Sequence, residues 1–203
     1  MVTGKILHTL QTYDKEQTTV TIGGAAIAMH LSQIGIDFVT EDVDVLCSTG
    51  YFTSQTARAP FFEPDTVHKF QIRYPYGEPH TRALSPVLDI YPGVKTAGTT
   101  FPFSASTALG GQWHPTTYED CMSESQAIVK YAGYFFLSMA EVLTWTAKAG
   151  REKDIAKVDQ LLPISLKHGL ITAAQYENIK TERDYSVELR RQHPNRHHAR
   201  VAI

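Results

Sequence analysis

Apolar residues change their spacing along this chain, and each change predicts an element. Residues 5–13 set Ile6, Leu7 and Leu10 on one face, the spacing of a short helix. Residues 18–22 read Thr-Thr-Val-Thr-Ile, a β-branched run that predicts a strand, and Gly23-Gly24 ends it. Residues 25–33 are alanine-rich and helical, with Gly35 as the glycine that closes a helix. Residues 43–47 form the next strand, and 51–58 a weak helix. Residues 67–74 alternate and residues 83–91 are largely apolar. With Pro75-Tyr76-Gly77-Glu78-Pro79 between them, they predict an antiparallel pair joined by a loop. From 93 to 117 the chain is rich in Gly, Ser, Thr and Pro, which suits short edge strands or a mobile loop.

A different regime begins at Ser123. Residues 123–148 offer Ile128, Val129, Phe135, Leu137, Met139, Val142 and Leu143 for burial with no internal proline, so one long helix is expected. Gly150 breaks it. Residues 152–162 form a second helix that Pro163 should stop. Thr172-Ala-Ala-Gln175 is a capping-box pattern, opening a third helix that runs to about Arg191. The tail, residues 193–203, is polar. The fold class that follows is α/β (α+β): a mixed-sheet domain over residues 1–120 and a helical domain over 121–203.

Composition narrows the function classes. With 203 residues the chain holds one full core or two small domains. Its hydrophobic fraction of 42% is that of a soluble globular protein, and a net charge of −2 gives no global pull toward nucleic acid. Cys47 and Cys121 are too few for a disulfide framework and lie far apart, which points to free thiols in a reducing cytoplasm. The first residues lack the apolar core of a signal peptide, and no apolar run reaches membrane-spanning length, so no membrane partner is expected. There is no Gly-x-Ser-x-Gly elbow, Walker loop or dinucleotide fingerprint.

The chemistry concentrates in residues 22–46. In a strand, Asp42 and Asp44 share a face, and like charges so close destabilise each other unless a cation lies between them. Hard oxygen donors in that arrangement suit Mg²⁺. Gly23 and Gly24, at the start of a helix, let backbone amides approach phosphate. A third acid, Asp89, interrupts the apolar run Val87-Leu88-Asp89-Ile90. His30, on the first long helix, has no second ligand at metal-site spacing and reads as a satisfied helix histidine; His197-His198 reads as a solvated pair.

Gly23-Gly24, Thr40-x-Asp42-x-Asp44 and the strand acid Asp89 together resemble the nucleotidyltransferase superfamily. The likeness is strongest to small bacterial members, including the toxin component of AbiE-type toxin–antitoxin systems. Ala149-Gly150-Arg151-Glu152-Lys153-Asp154 resembles the helix start that follows the catalytic domain there, and the likeness covers roughly residues 18–162. It implies Mg²⁺ as cofactor, held by Asp42, Asp44 and Asp89, with Asp89 also able to take the acceptor's proton. It implies an NTP held by Gly23, Gly24, Thr40, Lys148, Arg151 and Lys153. The acceptor would be tRNA, a protein side chain or a small molecule, and an antitoxin would be the protein partner.

Alternatives stay open beside it. Phe38, Thr146 and Lys157 stand where many relatives carry other residues, which suits a catalytically silent nucleotide- or RNA-binding module. Lys148, Arg151 and Lys153 also suit a solvated helix terminus, and Asp154 suits a helix-start charge or ion-pair partner. From residue 183 to 203, five arginines against two acids leave a net +3, fit either for an RNA backbone or for a solvated helix.

Overall fold

A computed structural model describes residues 2–14, 17, 19–40, 42–47, 72–74, 87–92, 122 and 126–192; for Val2, Thr12, Tyr13, Cys47, 72–74 and 87–92 it describes the backbone alone. The expected helix at 51–58, the glycine- and proline-rich stretch at 93–117 and the tail at 193–203 lie outside the described residues. What is described is a mixed α/β protein. Among the described residues, those up to Ser138 belong to one compact unit and those from Met139 to Gln192 to a second.

The first unit starts with α1 (Val2–Tyr13), β1 (Thr19–Ile22), α2 (Gly23–Ser32) and β2 (Asp42–Cys47). Then come β3 (Ile72–Tyr74), β4 (Val87–Pro92), β5 (Ile128–Tyr131) and β6 (Tyr134–Leu137). The strands make one sheet in the order β3-β4-β2-β1-β6-β5. β1 runs antiparallel to β2 and parallel to β6, β2 runs parallel to β4, and β3 is antiparallel to β4 as expected.

α2 is the helix around which this unit packs. Ala25 to Leu31 are all buried, His30 included. A helix apolar on every side belongs inside. Ile27, Met29 and Leu31 are at most 2% exposed, and burying each contributes about 1.5–3 kcal/mol. Ala25, Ala26 and Ala28 let α1, β1 and β2 come close. The helix ends as Gly35 suggested. With φ at +74°, Gly35 donates to the Ser32 carbonyl, and Ile36 donates to that of Leu31. Asp14 ties α1 to β1: its buried carboxylate accepts from the Thr19 hydroxyl at 2.7 Å and the Thr19 amide at 3.3 Å.

The long helix expected over 123–148 is corrected. Residues 128–131 and 134–137 are an antiparallel hairpin turning on Ala132-Gly133, and only Met139–Ala149 is helical. Both turn residues have positive φ, +49° and +91°, the conformation of a tight turn whose twist matches the strands. Tyr134, Phe136 and Leu137 are buried because β6 lies against central β1. That pairing carries the sheet unit past residue 120 to Ser138.

The second unit holds α3 (Met139–Ala149), α4 (Glu152–Lys167) and α5 (Ala173–Gln192), each packed on the other two. Its core is Met139, Val142, Leu143 and Ala147 with Val158, Leu161, Leu162 and Ile179. Pro163 does not stop α4. The proline is exposed, and its missing amide removes one helix bond, while Leu161, Leu162 and Ser165 continue the buried face around it. The stop comes at Gly169, where the amides of Gly169 and Leu170 return to the carbonyls of Leu166 and Ser165. The capping box is present: the Thr172 amide donates to Gln175 Oε1 at 2.8 Å, and the Gln175 amide to Thr172 Oγ1 at 3.2 Å. No helix among the described residues is long and apolar enough to cross a membrane.

His30 is the satisfied core histidine its surroundings predicted. Its Nε2 donates to the Leu137 carbonyl at 2.9 Å, and burial holds its pKa below the ordinary 6.5 against a smaller opposing effect of that bond. The unfolded chain takes up this proton at higher pH than the folded one does. Stability tied to His30 is therefore complete well above 6.5 and is lost as pH falls below it, by up to about 1.4 kcal/mol per pH unit. Urea melts at about pH 7.5 and about pH 5.5 should show a smaller acid loss in His30→Gln, which keeps an N–H for Leu137 but does not titrate.

Candidate functional site

β1 is four residues of Thr-Val-Thr-Ile, and at Ile22 it turns directly into α2. The turn needs a left-handed residue, and Gly23 supplies it at φ +59°. Ile22 is the register partner of Asp44 on β2. Two residues back along β2, Asp42 lies beyond the end of β1, where that chain has already become helix. The alternation of β2 then divides its residues. Val43 and Val45 are buried, whereas Asp42 and Asp44 are half-buried on the other face.

The two glycines are matched to two side chains. A Cβ added to Gly23 would stand 2.6 Å from Asp44 Oδ2, and one added to Gly24 would stand 2.6 Å from Thr40 Oγ1. Both separations are too short for any real side chain, so the carboxylate and the hydroxyl occupy the space the missing side chains leave. Thr40 in turn donates to the backbone carbonyl of Asp42 at 3.0 Å, with Asp42 Oδ1 at 3.4 Å from the same hydroxyl. Gly23, Gly24, Thr40, Asp42 and Asp44 therefore meet at one corner, where β1 gives way to α2.

Asp89 joins through the sheet. β2 and β4 are parallel, with Asp42 opposite Val87 and Asp44 opposite Asp89. Register partners on adjacent strands lie at the same level of the pleat. On the far side Asp89 is the partner of Arg73 on β3. Among the described residues no three His, Cys, Asp or Glu side chains gather as a metal site, and the side chain of Asp89 is outside that set. Asp42 and Asp44 by themselves offer hard carboxylate oxygens, side by side and partly open to solvent, which is the donor chemistry that suits Mg²⁺.

The basic candidates belong to the second unit, where two of them have acidic partners. Arg151, just before α4, places Nε and Nη2 on the two oxygens of Asp154, the latter at 3.1 Å. Asp154 is 2% exposed and sits in the first turn of α4, so it is both ion-pair partner and helix-start charge, as expected for that position. Lys148 Nζ lies 3.7 Å from Glu182 on α5. Lys153 is exposed on the first turn of α4. Of the arginines near the C-terminus, Arg183 grips Asp159 at 2.7 and 2.8 Å and touches Asp184, and these carboxylates raise its pKa, the bond to Asp159 most of all. Arg190 donates to the Gly150 carbonyl in the α3–α4 turn.

Sequence reasoning found the glycines and acids but missed what Thr40 holds. A threonine two residues before an acid at a strand start is a pattern in which the hydroxyl bonds a nearby carbonyl, and that signal was available. Nothing in the sequence signalled that Arg190 reaches Gly150.

Two substitutions test these matches. Gly23→Ala combines a left-handed φ with the Asp44 contact and should cost about 1–3 kcal/mol in a urea melt. Adding Asp44→Ala should recover the steric part and leave the backbone part. Arg151→Ala leaves a buried carboxylate without its charged donor and should cost about 1–3 kcal/mol; Asp154→Ala in the same chain should recover part of that loss.

Comparison with protein-family models, curated proteins and solved structures found no match, so the corner is judged on its own geometry and on the residues that build it.

Proposed function

We propose that this protein is a nucleotidyltransferase-fold enzyme that moves an NMP from an NTP to an acceptor hydroxyl or phosphate. The observation that carries this reading is the meeting of Gly23, Gly24, Thr40, Asp42 and Asp44 at the β1–α2 turn, with Asp89 as the register partner of Asp44. These are the positions at which the sequence resembles that superfamily, and the approach of Gly23 and Gly24 to Asp44 and Thr40, like the pairing of Asp44 with Asp89, joins residues well separated in the chain.

In this reading Asp42 and Asp44 would hold Mg²⁺ together with Asp89. Bound there, the metal would neutralise the charge that builds on the α-phosphate and on the departing pyrophosphate. Asp89 accepts the proton of the acceptor hydroxyl. The backbone amides at the start of α2 face the triphosphate; Ile22 adds no side-chain cap to them. The superfamily likeness gives Lys148, Arg151 and Lys153 of the second unit the role of phosphate-binding cations. RNA such as tRNA, a protein side chain and a small molecule each offer a suitable acceptor, and an antitoxin is the protein partner this reading expects.

The engaged cations favour a second reading. Arg151 and Lys148 have acidic partners, and Thr146 turns its hydroxyl onto the Val142 carbonyl of its own helix at 2.7 Å. A silent nucleotide- or RNA-binding module keeps the corner and lacks the transfer.

One experiment separates them. With α-labelled NTP, Mg²⁺ and cell extract, the enzyme should label an acceptor, and nuclease or protease digestion of the product identifies its class. Asp44→Asn should abolish labelling, because losing one metal-neutralising charge removes several kcal/mol, roughly, of transition-state stabilisation while barely changing shape. NTP-dependent thermal stabilisation without any labelled product would support the silent module instead.

A further inference from the structure

Thr40 has a role that neither the superfamily likeness nor the strand pattern assigns. We propose that Thr40 is a positioning residue that fixes the Asp42 carboxylate for a divalent cation, and that Gly24 is glycine so that it can do so. The inference rests on the reading of Asp42 and Asp44 as cation ligands, and it changes Thr40 from a nucleotide contact into a residue acting through Asp42.

The geometry is specific. A threonine hydroxyl has one proton. Here it goes to the Asp42 carbonyl at 3.0 Å, with Asp42 Oδ1 at 3.4 Å able to share it. One hydroxyl thus faces both the backbone and the carboxylate of the same residue, which restricts how that carboxylate can turn. An ionised carboxylate has about four lone-pair sites, and a shared proton engages one of them, so acceptor capacity remains for a cation. The β-branch of threonine narrows its own rotamer choice, making it a stiffer prop than serine. Holding Thr40 in this rotamer is the role of Gly24. Its φ is not left-handed, so the chain does not require glycine there for backbone reasons; what requires it is Thr40 Oγ1, 2.6 Å from any Cβ. Alanine at that site would satisfy α2 at least as well as glycine and would push the hydroxyl off Asp42. Gly23 is different, since its φ alone calls for glycine. The same corner therefore contains one glycine required by the turn and one required by a side chain.

The test uses the purified full chain and Mn²⁺ alone, with bound metal measured from the loss of the free-ion EPR signal. Thermal melts of the metal-free variants run alongside, so that affinity is compared only between folded proteins. Thr40→Val should weaken Mn²⁺ binding about tenfold or more, the usual effect of removing a partner that orients a ligand, and Thr40→Ser should restore it. Gly24→Ala should weaken binding as Thr40→Val does without lowering the melting temperature. In a Thr40→Ala background, where no hydroxyl remains to displace, Gly24→Ala should change nothing further. If Asp42→Asn loses Mn²⁺ while Thr40→Val and Gly24→Ala bind it like the wild type, the positioning role is overturned and the cation reading stands. If the wild type binds no Mn²⁺, or Asp42→Asn binds it undiminished, both are overturned. Should Thr40→Val fail to fold, Gly24→Ala alone still decides between these results.

Discussion

The approach of Asp44 to the backbone of Gly23 sets most of what surrounds it. For the carboxylate to lie there, β1 must end at Ile22, the next residue must be glycine at φ +59°, and α2 must start at once. That start point fixes which residues of α2 face the sheet. α2 has no polar face to spare, since Ala25 through Leu31 are buried on every side, so a shift of one residue would have to re-bury the whole helix. The β1–β2 register then puts Asp42 where β1 no longer runs, and the β2–β4 register puts Asp89 level with Asp44. A single close contact is thus coupled to helix phase, strand register and the grouping of the acids.

Local signals carried the legible part of this fold. The β-branched Thr19–Ile22, the Gly35 ending and the Thr172–Gln175 box each act over a few residues, and each formed as its chemistry dictates. The errors came where tertiary packing chose between two local options. Residues 128–137 are apolar enough for a helix or a hairpin; pairing with β1 decides for strands, and Ala132-Gly133 lacks the Asn or Asp that usually marks such a turn. Pro163 should end a helix in isolation, yet it falls on the exposed face while buried residues flank it, so packing outweighs one lost hydrogen bond.

The candidate site was legible as a list of residues and not as a set of contacts. Gly23, Gly24, Thr40, Asp42 and Asp44 are recognisable by type and spacing. That each glycine answers to a particular side chain depends on how β1 and β2 pair, which no local pattern encodes; only the contact of Thr40 with Asp42 is local. The basic residues show the reverse problem. Spacing marks Lys148 and Arg151 as cations but cannot reveal that Glu182 and buried Asp154 lie against them.

The bond from His30 to Leu137 spans 107 residues, and β1 takes β6 as its parallel neighbour across a similar distance. The middle strand of the sheet and its most buried helix are therefore completed by a segment that leaves the ribosome long after them. Until that segment arrives, β1 has one open edge and the imidazole of His30 has no carbonyl to meet. During synthesis the first unit must wait, partly assembled, through the making of everything between residues 47 and 128. A fragment cut at residue 120 would be held in that waiting state, with an unpaired central strand exposed to its own copies.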